Sequence, residues 1–129
     1  MNNEIEASYP VLGQLLIDIL DDDFREAFLN IELSDDVWGA ELFYRNHDGV
    51  IRYINEGLAQ IEQEFRKMRN RFSSTGHTPF SMATFHLFDS GKFEIDYGYE
   101  DVTDFDMAGQ RRENWITKYL GKNAVINWS

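Results

Sequence analysis

Three histidines, 23 acidic side chains and no cysteine are what this 129-residue chain offers for chemistry. A histidine can serve as general base or metal ligand, and paired carboxylates can divide acid–base work between them. His47 stands in a turn beside Asp48, His77 in a Ser/Thr/Gly-rich loop, and His86 within a strand pattern. None has a second His or an acid four residues away, the spacing that sets two ligands on one helix face. The ordinary reading of each is a solvated or half-buried side chain. Without Cys there is no thiolate nucleophile, no thiolate zinc site and no disulfide framework. The chain lacks a G-x-S-x-G elbow, a phosphate-binding G-x-x-x-x-G-K-[ST] loop and a G-x-G-x-x-G turn. These absences speak against an enzyme and against a bound cofactor, although distant residues can converge without leaving a motif.

The carboxylates are mostly spread as a solvated surface would be, with one exception. From Glu94 through Asp96, Glu100, Asp101, Asp104 and Asp106, no Lys or Arg intervenes between Lys92 and Arg111, and Tyr97, Tyr99 and Phe105 are interleaved. An acidic surface laced with aromatics can be the counterpart of a basic cleft. Glu94, Asp96, Glu100, Asp101, Asp104, Phe105 and Asp106 are therefore the expected partner-binding residues. Calcium also takes clustered oxygens, but the spacing does not fit an EF-hand loop, and no metal is expected. A basic patch at Arg66, Lys67, Arg69 and Arg71 holds four of the 12 basic residues. It reads as a solvated helix face closed by bases that suit the helix dipole.

Charge sorts the possible partners. Twelve Lys and Arg against 23 Asp and Glu leave a formal net charge of −11. Phosphate binding is driven by Lys and Arg, so nucleic acid is not the expected ligand. A basic partner is, drawn in by long-range attraction. A chain of this length builds one core, giving a single domain over residues 1–129. No apolar run approaches the ~20 residues of a membrane span. Met1-Asn2-Asn3-Glu4 lacks the basic start and apolar run of a signal peptide, so a cytoplasmic protein is expected.

Periodicity gives the elements that must position these residues. Leu12, Leu15, Leu16, Ile19 and Leu20 share one helical face, predicting a helix over residues 8–21 with Ser8 as N-cap and Pro10 in its first turn. Asp21-Asp22-Asp23 opposes the helix dipole and should end it. Ala27, Leu29, Ile31 and Leu33 alternate with Phe28, Asn30 and Glu32, predicting a strand with one buried face. A second strand carries Trp38, Ala40, Leu42 and Tyr44, and a third spans residues 50–54 after the Asn46–Gly49 turn. Leu58, Ile61, Phe65, Met68 and Phe72 define the core stripe of a long helix, with Glu62 and Arg66 as an i,i+4 pair on its outer face. Residues 82–88 and 92–99 form a hairpin, and residues 110–120 a last helix with Trp115 and Tyr119 turned inward. The expected fold is α+β, an antiparallel sheet of about five strands in the order α-β-β-β-α-β-β-α with helices packed on it.

The hairpin and last helix carry a resemblance. "SGKFEIDYGYEDV" followed by "RRENWITKYLG" resembles the YezG-like immunity protein family, through Gly91, Phe93, Asp96, Tyr97, Tyr99, Asp101, Trp115, Lys118, Tyr119, Leu120 and Gly121. The match covers the C-terminal third; before it, elements agree in order rather than in residues. The resemblance implies a cytoplasmic antitoxin without catalytic residues. It would bind a cognate toxin of a bacterial polymorphic-toxin or contact-dependent inhibition system, often a nuclease. The matching residues read as mostly structural. Gly91 shapes a turn, Phe93, Tyr97, Tyr99, Trp115 and Tyr119 suit a core, Leu120 turns inward, Gly121 stops the helix, and Lys118 pairs with Asp96 or Asp101. Trp128 has no assigned use. Two other readings stay open: a small hydrolase using His86 or His77 with a nearby carboxylate, and an acidic adaptor without a toxin. The oligomeric state, the strand order, and active-site plugging versus exosite binding stay open as well.

Overall fold

The computed structural model describes residues 3–128. Met1 and Asn2, used above against a leader segment, and Ser129 lie outside the described residues. The chain opens with a short helix α1 (Asn3–Glu6) and α2 (Ser8–Ile19). Strands β1 (Phe24–Leu33), β2 (Trp38–Asn46) and β3 (Ile51–Ile54) follow as hairpins. Then come α3 (Ala59–Ser74), β4 (Met82–Phe88), β5 (Phe93–Gly98), one turn of 3-10 helix (Phe105–Met107), α4 (Ala108–Tyr119) and β6 (Ile126–Asn127). All strands join one sheet in the order β5-β4-β1-β2-β3-β6. This is the α+β fold expected, with a sixth strand added. β6 runs parallel to β3, pairing Ile51 with Ile126. Its two residues are too few to leave an alternation in the sequence.

The long β1 is the sheet's axis, hydrogen-bonded to β2 on one side and β4 on the other. Its odd-numbered residues Ala27, Leu29, Ile31 and Leu33 are fully buried beneath α2 and α3. Those helices supply Leu12, Leu16, Ile61, Phe65, Met68 and Phe72, the apolar stripes their periodicity announced. The expectation of one buried face on β1 fails at Phe28 and Asn30, which are 4% and 7% exposed. The reason is α4, which crosses the opposite face and packs Trp115 and Leu120 over Phe28, Phe43 and Ile51. The sheet is therefore covered on both sides.

Three local expectations change. Ser8 is not a cap, since α2 starts from Ala7 without a side-chain capping bond. Its buried hydroxyl instead donates to Glu64 Oε1 at 2.7 Å and accepts from Arg71 Nη1 at 3.0 Å. Glu62 and Glu64 are buried, not on a solvated outer face. Nor is the basic face of α3 simply solvated. Arg66 bonds Glu62 and the Ser34 carbonyl, and Arg69 bonds the Phe80 carbonyl and Asp35. Charged donors here tie α3 to the β1–β2 turn and to the lead-in of β4, giving backbone carbonyls outside the ladders their partners. No helix among the described residues is long and apolar enough to cross a membrane.

Candidate functional site

Residues 99–107 leave β5 and run along the end of the sheet to α4. Four acids in nine positions would repel one another in a loose loop, yet this loop has an internal anchor. Arg111, in the first turns of α4, is 8% exposed. Its guanidinium forks onto Glu32 of β1 at 3.0 and 3.1 Å. The remaining donors reach back to the loop, Nη1 to the Asp104 carbonyl at 2.7 Å and Nη2 to the Val102 carbonyl at 3.3 Å. A planar five-donor group is suited to such a junction because it meets a carboxylate bidentately and still has N–H groups to spare. The hydrogen bond to Glu32 outweighs burial and raises the guanidinium's pKa further, so the clamp stays charged.

The loop also shapes itself. The Thr103 hydroxyl and amide both donate to Asp101 Oδ1, which holds that carboxyl below its ordinary range. Ser81 Oγ donates to the Glu100 carbonyl, and Val102 is buried. The outcome is a fixed display. Phe105 is 66% and Met107 47% exposed, amid Asp101, Asp104 and Asp106. Val37 and Trp38, at the entry to β2, are 46% and 42% exposed and share a groove with Phe105, Glu32 and Arg111. Exposed aromatic side chains on a hydrogen-bonded backbone within an acidic rim are what a protein interface uses as anchors, and a cationic partner suits the rim.

The seven expected partner-binding residues thus divide. Glu100, Asp101, Asp104, Phe105 and Asp106 belong to the clamped loop. Glu94 and Asp96 lie on the α4 side of β5 and already have neighbours within the chain. Asp96 accepts from the Tyr119 hydroxyl at 2.8 Å, and Glu94 approaches His86 Nδ1 at 3.9 Å. Lys118, expected to pair with Asp96 or Asp101, lies over the Tyr119 ring instead, while Tyr119 supplies the donor to Asp96.

Among the family-like positions, Gly91 turns the β4–β5 hairpin at φ 90° and Gly121 ends α4 at φ 109°, both in the left-handed region that favours glycine. Tyr97 packs between Phe72 and Phe80, and Trp115 is buried with its indole N–H on Thr84 Oγ1 at 2.8 Å. Leu120 is buried and Tyr119 half-buried. Phe93 and Tyr99 depart from the core expectation, at 39% and 58% exposed. Phe93 stacks on Phe85 at the sheet's edge, and Tyr99 lies past the last pair of β5, where the alternation no longer faces the helices. Trp128 gains a place, against Phe43 and Tyr53 and under the Arg112 guanidinium at 4.5 Å.

His86 lies between carboxylates of the two flanking strands, 3.5 Å from Glu26 and 3.9 Å from Glu94, stacked on Phe28 and beside Phe88. Its buried Nε2 makes no hydrogen bond, whereas a general base is oriented by one. His77 and His47 are exposed in their loops. Among the described residues, no group of three or more His, Cys, Asp or Glu side chains could hold a metal ion. Sequence reasoning missed Arg111, Glu32, Val37 and Trp38. Arg111 as the first base after the acidic run was the one signal available; its partner is 79 residues away.

A family model described as "Immunity protein YezG-like" matches residues 51–125, more than half of the chain. Similar proteins include "Immunity protein YezG" of Bacillus spizizenii (strain W23), 24% identical over 131 aligned positions that cover 88% of this chain and 80% of that protein. "Immunity protein YezG" of Bacillus subtilis (strain 168) is 24% identical over 129 positions, covering 88% of this chain and 85% of that protein.

Proposed function

The chain belongs to the YezG-like immunity protein family, and on that premise we propose that it neutralises a cognate toxin by stoichiometric binding. The toxin is a nuclease of a bacterial polymorphic-toxin system, and the chain acts in the cytoplasm as a single non-catalytic domain. The observation that supports the docking surface is the Arg111 clamp, which holds the loop backbone on either side of Thr103 and next to exposed Phe105. Preorganisation of this kind lowers the ordering cost of binding. The charge supports the choice of toxin chemistry. A nuclease presents a cationic cleft to phosphates, and an inhibitor of net charge −11 is attracted to it before contact. Steered association of this type reaches about 10⁸–10⁹ M⁻¹s⁻¹ at low salt. Occupying that cleft with Asp101, Asp104 and Asp106 while Phe105 and Trp38 anchor nearby blocks substrate phosphates.

Co-expression in a bacterial host with the toxin domain encoded beside this chain tests the reading. Cells survive with the wild type, and the purified toxin loses nucleic-acid cleavage at an equimolar ratio. The triple variant Asp101→Lys/Asp104→Lys/Asp106→Lys is expected to keep its fold by circular dichroism and to lose protection. Full protection by that variant removes the loop from the interface, and death of cells carrying the wild type removes the immunity reading. Hydrolysis of model phosphodiesters or esters by the purified chain, abolished by His86→Ala, would establish the hydrolase reading in its place.

A further inference from the structure

β5 is the outermost strand on one side of the sheet. β4 pairs with it from Met82↔Gly98 to Leu87↔Phe93, and among the described residues no strand lies beyond it. The bonds from Phe88 N–H to the Lys92 carbonyl and from Ser81 N–H to the Gly98 carbonyl fix the phase of this ladder. Even-numbered residues of β5 turn their backbone groups toward β4. Alternation in an antiparallel ladder then sends the N–H and C=O groups of Phe93, Ile95 and Tyr97 outward. An open row of this kind is a template for another strand.

The side chains select the occupant. On the α4 side β5 shows Glu94 and Asp96, and next to Asp96 lies a groove of about 170 Å³ that also holds Glu100. On the other side Phe93 is partly uncovered and Ile95 half-buried. A second copy of this chain pairing antiparallel about Ile95 would set Glu94 against Asp96, carboxylate on carboxylate, which is destabilising. A strand carrying Lys or Arg at alternate positions meets the same carboxylates with opposite charge, and its intervening apolar residues meet Phe93 and Ile95. We infer that β5 is an augmentation edge, where a strand of the toxin with basic residues on one face adds to the sheet beside Phe93–Gly98. The inference rests on the immunity reading above and specifies which part of the partner is bound, and how.

Residue-resolved amide exchange by NMR tests it, on the full chain alone and with the catalytically inactivated toxin domain. The amides of Phe93, Ile95 and Tyr97 exchange fast in the free chain and slow at least about tenfold in the complex. Ile95→Pro removes an outward N–H, which an edge strand tolerates, and weakens binding about tenfold through lost backbone pairing. Glu94→Lys/Asp96→Lys weakens it as well and flattens its salt dependence. A complex in which the three amides still exchange as in the free chain overturns the edge while leaving the immunity reading intact. Absence of any complex overturns both. Should Ile95→Pro fail to fold, the wild-type exchange decides alone.

Discussion

Leu29 and Phe28 are neighbours in β1, each under 5% exposed, and they belong to two differently made cores. Leu29 faces α2 and α3, in the larger cluster of aliphatic and aromatic side chains, beside which the buried Ser8 hydroxyl meets Glu64. Phe28 faces α4, in a smaller cluster of Phe43, Ile51, Trp115 and Leu120. Buried polar groups border that cluster: Asn30, Thr84 and Arg111 are each 8% exposed or less. The first face is held mainly by area removed from water, which is insensitive to direction, with the Ser8–Glu64 and Tyr44–Asp21 bonds at its margin. The second depends on hydrogen bonds with fixed geometry, Trp115 to Thr84 and Arg111 to Glu32. The acidic loop is attached to the second. Stability and display are thereby separated, and variants on the two faces should fail in different ways.

The largest effect is expected on the first face. Phe65→Ala empties a fully buried site in α3 and should cost about 3–5 kcal/mol in denaturant unfolding. Toxin binding by the molecules still folded should be unchanged; weaker binding per folded molecule would show that the faces are coupled. Arg111→Ala comes next. It leaves Glu32 without its fork and frees the Asp104 and Val102 carbonyls. Because Glu32 keeps some access to water, the loss should be about 3 kcal/mol, at the lower end for a broken buried pair. Here affinity for the toxin should fall as well, and proteolysis at the loop should quicken. Arg111→Lys keeps the charge without the fork and should recover little of either.

Tyrosine titration probes both faces under alkali. Burial, reinforced by a hydrogen bond to Asp21, pushes the Tyr44 phenol on the first face from 10.0 up to about 12. The native chain keeps this proton where the unfolded chain has released it. The stabilisation is complete below pH 10 and declines as pH rises from 10 toward 12, by of order 2 kcal/mol. Unfolding midpoints measured across that range should drop, and Tyr44→Phe should flatten the decline. Tyr9 and Tyr97 on the first face and Tyr53 and Tyr119 on the second are also raised, by burial first, so Tyr44→Phe should remove only its own share of the slope. The smallest effect on stability belongs to the loop's exposed acids. Reversing Asp101, Asp104 and Asp106 together should leave the thermal midpoint near wild type, while stopped-flow association with the toxin slows about tenfold or more at low salt.

How much of this could be read from the chain differs between the faces too. The stripe Leu58-Ile61-Phe65-Met68-Phe72 and the alternation of Ala27, Leu29, Ile31 and Leu33 state their burial outright, and both lie in the first core. Phe28 and Phe43 also alternate, but with Asn30, Glu32 and Glu41, a pattern that reads as solvent-facing. It becomes interior because α4 lies over it. The acid run was legible as composition, and its aromatic Phe105 as part of it. That Glu94 and Asp96 separate from the rest follows from where β5 ends at Gly98, a boundary the alternation through Glu100 does not mark.

From the sequence alone came the succession of helices and strands, the apolar face of each helix, the acidic surplus and the concentration of acids after Lys92. These are properties of neighbours a few residues apart, and periodic burial and charge counting need nothing more. Tertiary structure alone decided that Arg111 meets Glu32, that Trp38 and Phe105 share a groove, that β6 joins β3 in parallel and that β5 is left as an open edge. Each of those depends on which segments cross in space. A guanidinium can be buried only where distant carbonyls and a carboxylate arrive together to satisfy it, and no local pattern of residues encodes that arrival.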